Sequence, residues 1–318
     1  MHSIDAISHT SATDCRTEQE QPMSQAPDKK PWGRYAEMRP QTLASVRSQA
    51  PIIYMPYGAL QWHGAHLPLG TDGITAEAIA EQTVQRTGGV LMPTTWWPAI
   101  ETPHDNVIAA RSNVVAEMWS DIFDGLALIG WRLVVVVNGH PYRDHELMLI
   151  SAAEQAMQRH KMLVLAVSPL ALLDNNLIDH GALWETSLML SISPAVVDIY
   201  ALGEDELALE RNSVRGRDPR GAASPSLGDT LLRMAVERLA SAIGDLLRYR
   251  DQAPLFALYE QRRESLMAFA NNSLAMASPS QQAGDEAGSP PPQNRPTKRL
   301  DDTRTTQRLT QRPTRRLE

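Results

Sequence analysis

The chain is poor in cysteine. Its 318 residues include one, Cys15, which excludes an intramolecular disulfide. A fold that needs none suits a reducing compartment, so a cytoplasmic location is expected. Cys15 also lies in a polar stretch, where a catalytic thiol is not expected. Long apolar runs are missing as well. None approaches the roughly 20 residues that span a bilayer, and the first residues show no apolar core of a secretory signal. No membrane association is therefore expected. Basic charge is in deficit, with 30 Lys and Arg against 37 Asp and Glu, a net charge of −7. It is unevenly spread. Residues 295–318 hold eight Lys/Arg and three Asp/Glu, or +5, which leaves −12 for the rest. An acidic body with a short basic tail does not fit a nucleic-acid-binding domain. No internal repeat is present.

The ends differ from the middle. Residues 1–32 are polar and aperiodic and read as a disordered leader. Residues 271–318 are rich in Ser, Gln, Pro, Thr and Arg and read as a disordered tail. One domain is expected between them, over residues 33–270. A first helix is expected from Arg34 to Ser48, broken at Pro40. Ile52 to Met55 then reads as a buried strand, and residues 73–87 as a helix stopped by Gly88-Gly89. Val90 to Pro93 is a second short strand, and residues 114–129 a helix. Leu133 to Val137 is apolar at every position, as in a parallel strand covered on both faces. A helix over 143–160 and a further apolar strand, Leu163 to Val167, complete the alternation. Later helices are expected over 227–247 and 255–269. This order predicts an α/β fold with a largely parallel central sheet.

Seven of nine histidines fall between residues 63 and 180. Residues 58–72 carry His63, His66 and Asp72 on a Gly- and Pro-punctuated loop after the first strand, where open α/β folds place their chemistry. His140 follows the valine strand directly. If the two strands are neighbours, His63, Asp72 and His140 meet at their C-terminal ends, and Glu185 offers a further oxygen. Imidazole with carboxylate suits zinc, manganese and iron alike. By itself the loop is also readable as a turn with incidental histidines. His66 reads as structural packing, and His145 and His160 as solvated helix positions.

Four stretches resemble the creatininase (creatinine amidohydrolase) family. Gln61-Trp62-His63-Gly64-Ala65-His66-Leu67-Pro68, leading to Gly70-Thr71-Asp72, resembles its first metal-binding run. Asn138-Gly139-His140 and His180-Gly181-Ala182-Leu183-Trp184-Glu185-Thr186-Ser187 resemble the next two, and residues 216–228 its late loop and helix start. The resemblance covers about residues 35–250. It implies a three-layer α/β/α domain that hydrolyses C–N bonds of small amides or cyclic amides. It also implies a homo-oligomer and one or two divalent ions per subunit. Carried over, His63, Asp72, His140 and Glu185 are metal ligands, Asp72 bridges, and His180 moves protons or contacts substrate, with Glu185 beside it.

The departures sit in the same places. Gln61 stands where the family has a glutamate ligand. Pro141-Tyr142-Arg143 follows Asn-Gly-His, so the glutamate that creatininase uses just past that histidine is absent. Three outcomes follow: an altered enzyme holding one metal or a changed pair, a standard two-metal amidohydrolase that tolerates Gln61, or a metal-free relative that binds a small molecule or protein. In the last case Arg143 is expected in the pocket, paired with Asp72 as a substitute cation. Candidate substrate contacts are Trp96, Trp97, His104, Tyr142, Arg143 and Trp184. The tryptophans wall a pocket for a planar ring or cation, or else pack in the core. The arginines of residues 215–220 face either an anionic substrate or a neighbouring subunit.

Overall fold

The computed structural model describes residues 30–99, 106–205 and 207–276. In chain order the elements are β1 (Trp32–Arg34), α1 (Pro40–Gln49), β2 (Ile52–Tyr57), α2 (Thr71–Thr87), β3 (Gly89–Leu91), α3 (Ser112–Leu128), β4 (Leu133–Asn138), α4 (Arg143–Arg159), β5 (Leu163–Val167), α5 (Leu183–Ile192), α6 (Ala208–Arg211), α7 (Pro225–Tyr249) and α8 (Ala253–Met276). The strands form one sheet, ordered β1-β3-β2-β4-β5, with every pairing parallel. β2, β4 and β5 are buried at all positions. Their unbroken Ile, Leu and Val content follows from cover on both faces.

Connection handedness sets the layers. From β2 the chain crosses through α2 to β3 on one side. From β3 it crosses through α3 to β4, and through α4 to β5, in the opposite direction. Right-handed crossovers then place α2 on one face and α3 with α4 on the other. Helices α5 and α7 pack with α2, and α3 packs on α4. The result is the expected three-layer α/β/α arrangement. The direction of travel reverses between β2 and β4, so their C-terminal ends border a topological switch point, the usual binding crevice of an open parallel sheet.

Three local expectations change. Trp32, assigned to the leader by composition, opens β1, which pairs with β3. Pro40 does not break a helix begun at Arg34; it occupies the first turn of α1, where a missing N–H costs nothing. β2 also runs past Met55, because Pro56 keeps register with Val137 while its carbonyl accepts the Thr95 N–H at 2.9 Å.

The outer edge of β5 is closed by α8. The Ala166 N–H donates to the Tyr259 hydroxyl at 2.9 Å, and that hydroxyl donates to the Val164 carbonyl at 2.6 Å. A buried fork from Arg262 to both oxygens of Glu146, at 2.5 and 2.9 Å, ties α8 to α4. No helix among the described residues is long and apolar enough to cross a membrane.

Candidate metal centre

β2 and β4 are direct neighbours, with Tyr57 opposite Asn138 in register. The loops that leave them therefore start side by side. After β4, Asn138 locks the turn in both directions: its amide donates to the His140 carbonyl and its oxygen accepts the His140 N–H, each at 3.1 Å. Gly139 is required there, because a side chain at this position would run into the Asp72 carbonyl. That close approach seats the first turn of α2 against the end of β4 and brings Asp72 to His140. Asp72 lies in the first turn of α2 and Glu185 in that of α5. Helix N-termini favour carboxylates at both positions.

Asp72, only 2 % exposed, is the hub. Its Oδ1 lies 2.7 Å from His63 Nε2, and its Oδ2 lies 2.9 Å from His140 Nδ1. Gln61 Nε2 donates to the same Oδ2 at 3.0 Å and also lies 3.0 Å from His140 Nδ1. His63 Nδ1 faces the Gln61 carbonyl at 3.2 Å. That contact orients the ring so that Nε2 meets Asp72 and, at 4.0 Å, Glu185 Oε2. The His180 ring packs 4.7 Å from that of His63. Ligand atoms of His63, His180 and Glu185 all lie within 4.8 Å of one another.

The electrostatics suit a cation. Burial opposes protonation of His63, but the Asp72 charge outweighs it and lifts the imidazole to about 9. Burial would raise Asp72; the His63 and His140 contacts overcome it and hold the carboxyl far below the usual range. Burial pushes Glu185 up to about 8. Burial, aided by the charge on His63, lowers His180 to about 4. Without a metal, His63 thus carries a proton against the buried Asp72 carboxylate, with the Glu185 carboxyl 4.0 Å away. A divalent ion on the same nitrogen and oxygen donors would replace that proton with a larger positive charge. Histidine and carboxylate donors of this kind fit zinc, manganese or iron.

His140 differs. Its Nδ1 meets Asp72 and Gln61, while its buried Nε2 has no hydrogen-bond partner. The Gln61 amide thus lies against both Asp72 and His140. Beside the cluster a cleft of about 300 Å³ is lined, among the described residues, by Gln61, Asp72, His140, Tyr142, Asp179, His180, Glu185 and Arg215.

The other candidates fall in different places. Tyr142 lines the cleft, its ring stacked 6.0 Å from His140. Arg143 is exposed and forks onto Asp144 at 2.7 and 3.3 Å. It does not pair with Asp72, so the substitute-cation arrangement is not formed. The tryptophans are absent from the cleft's described lining. Trp96 lies over Gly70 and Gly73 at the start of α2. Trp97 is half exposed, and Trp184 packs against the core while donating to the Asn176 carbonyl at 3.1 Å. His104 lies outside the described residues. His66 is buried and meets the Thr186 hydroxyl at 3.0 Å. His145 and His160 are not solvated: His145 is fully buried against Tyr57 and His140, and His160 is partly buried and pairs with Asp124 at 2.8 Å.

Two cleft residues escaped recognition as individuals. Asp179 accepts the Trp184 and Glu185 N–H groups at 2.7 and 3.2 Å, starting α5. An aspartate just ahead of a helical pattern was the available signal. Arg215 was hidden among neighbouring arginines.

Residues 36–243 match the family model for creatininase, described as creatinine amidohydrolase. A curated creatinine amidohydrolase from Pseudomonas putida is 25% identical over 231 residues, 60% of this chain and 88% of the relative. A solved manganese creatininase superposes with a TM-score of 0.59 at 20% identity, covering 67% of this chain and 97% of the other. A zinc–zinc form of a glutamate-to-glutamine creatininase variant gives 0.58 at 20% identity over the same shares.

Proposed function

Because this chain belongs to the creatininase family, we propose that it is a metal-dependent amidohydrolase acting on a C–N bond of a small polar nitrogen compound, with one divalent ion per subunit rather than a pair. The observation that carries this reading is the cluster of His63, Asp72, Glu185 and the half-buried His180 beside the cleft. His63, Asp72 and Glu185 would hold the ion, with His180 next to them. Relatives solved with manganese and with zinc support a divalent metal. Gln61 supports the reduced number: its amide is a weaker donor to a dication than a carboxylate, and it already bridges Asp72 and His140.

When bound, a divalent ion polarises a carbonyl and acidifies water. The chain's own groups do the rest. His180 is neutral near pH 7 and borders the cleft. It can accept a proton from water and return it to the departing nitrogen. Asp179 holds the first turn of α5, and with it Glu185, in place. Tyr142 walls the side towards His140. The proposal includes assembly as a homo-oligomer in the cytoplasm.

Metal analysis by mass spectrometry tests it, on protein purified without chelator. About one equivalent of zinc, manganese or iron is expected in the wild type, and none in Asp72→Ala. A wild type that stays metal-free after reconstitution would refute the hydrolytic reading.

A further inference from the structure

Among the described residues, the cleft contains a cation, Arg215, with no ion-pair partner. The segment from Val214 to Arg220 carries three arginines, and the fold gives them different tasks. Arg220 forks onto both oxygens of Asp218 at 2.8 to 3.1 Å and donates to the Gly203 and Asp205 carbonyls at 3.0 and 3.2 Å. Its side chain is committed to the loop. Arg217 is exposed and does not line the cleft; its backbone carbonyl receives the Leu183 N–H at 3.0 Å. Arg215 alone lines the cleft. Among the described residues its side chain makes no ion pair and no hydrogen bond.

Its position is built rather than accidental. Arg215 and His180 exchange both backbone hydrogen bonds, each 2.9 Å, in an isolated antiparallel bridge. Next to it Gly216 has φ +137°, and a Cβ there would come within 2.9 Å of Asp179 and Ala182. The loop is thereby pressed onto the segment that leads to Glu185, with Arg215 at the cleft beside His180. Among the described residues the cleft carboxylates form no ion pair with it; they accept backbone N–H groups instead. Asp179 receives two backbone N–H groups from α5, and Glu185 receives the Gly181 N–H at 2.6 Å.

We propose that Arg215 is the specificity-determining residue of this cleft, and that it recognises a carboxylate on the substrate beside the scissile C–N bond. This assignment rests on the amidohydrolase reading above. A planar guanidinium pairs with a carboxylate through two parallel hydrogen bonds. The charge match favours a monoanion: a single guanidinium in a cleft that also holds Asp179 and Glu185 supplies one positive charge for one carboxylate. The substrate class is thus an N-acyl or N-carbamoyl amino acid, or a lactam that carries a carboxylate.

Calorimetric titration with three small probes tests this. N-acetylglycine and N-acetylglycinamide have nearly the same shape and differ by one charge; N-acetylaminomethylphosphonate supplies the dianion. The wild type is expected to bind N-acetylglycine at least about tenfold more tightly than the glycinamide, and more tightly than the phosphonate. In Arg215→Met the ratio of the first two should fall to about one, and Arg215→Lys should restore part of it. Equal wild-type affinities, failure of every probe to bind, an unchanged ratio in Arg215→Met, or an Arg215-dependent preference for the phosphonate would each overturn the assignment. Metal content is measured on the same samples. Metal-free protein with the carboxylate preference intact would refute the hydrolase reading and leave the recognition role of Arg215 standing. Full metal with no preference would do the reverse.

Discussion

Replacing Gln61 with glutamate tests the proposed one-metal centre most directly. In the present site its Nε2 donates to Asp72 Oδ2 at 3.0 Å and faces His140 Nδ1 at the same distance. A glutamate oxygen in that position would set a second negative charge about 3 Å from Asp72, a repulsion of about 5 kcal/mol at an effective dielectric constant near 20. Proton uptake limits the damage. Protonating a glutamate at pH 7 costs about 1.4 kcal/mol for each of the ~2.7 units above its ordinary pKa, or about 4 kcal/mol. Metal-free Gln61→Glu should therefore be about 3–4 kcal/mol less stable than the metal-free wild type. For a domain of this size that is a fall in Tm of about 10 °C. A second divalent ion would convert the repulsive pair into ligands. Titration with manganese or zinc should recover the lost Tm, and bound metal should rise from one equivalent to about two. Scanning calorimetry of chelated and metal-loaded samples, with mass-spectrometric metal analysis, reads both effects. A chelated variant within about 2 °C of the wild type, or one still holding a single equivalent in excess metal, would show that Gln61 does not guard a second position.

Two further outcomes follow from buried charges. In chelated protein His63 is raised from 6.5 to about 9, Glu185 from 4.5 to about 8 and Asp179 from 3.8 to about 7, the last mainly by burial. Each binds its proton more tightly folded than unfolded, so each contributes stability that is lost as pH rises through its window. His66 and His180, both lowered mainly by burial to about 4, act oppositely, adding stability between pH 4 and 6.5. His145, lowered well below 6.5 by burial, adds to that gain, so below pH 6.5 the histidines more than offset Asp179 and Glu185, and above it Tm should fall steadily to pH 9. A flat or rising Tm over that upper range would contradict the charge assignment. Separately, Arg262→Met strands Glu146, which is 1 % exposed, without its guanidinium. A loss of about 3–5 kcal/mol is expected in urea unfolding, and a change under about 1 kcal/mol would show that the fork is not a structural clamp.

Much of the fold was legible because its signals are local. The all-apolar runs at residues 133–137 and 163–167 are strands for the reason their composition suggests: both faces are covered. The alternation with amphipathic helices implied a parallel sheet before any pairing was known. Where the reading slipped, a neighbour decided the outcome. β1 has only three residues and exists through its pairing with β3. His145 looks solvated on a helix because periodicity does not say which face meets Tyr57 and His140.

The candidate centre divides in the same way. Residue type and order along the chain determined that His63, Asp72, His140, His180 and Glu185 were the groups to watch, since only imidazoles and carboxylates at strand and helix ends offer such donors. Tertiary structure alone decided how they are shared. It put His63 between Asp72 and Glu185, turned the Gln61 amide onto Asp72 and His140, sent Arg143 out to Asp144 and left Arg215 at the cleft. The physical reason is range. A strand or helix is set by neighbours a few residues away, whereas the charge on a buried side chain here depends on groups brought together from loops 79 residues apart, or further.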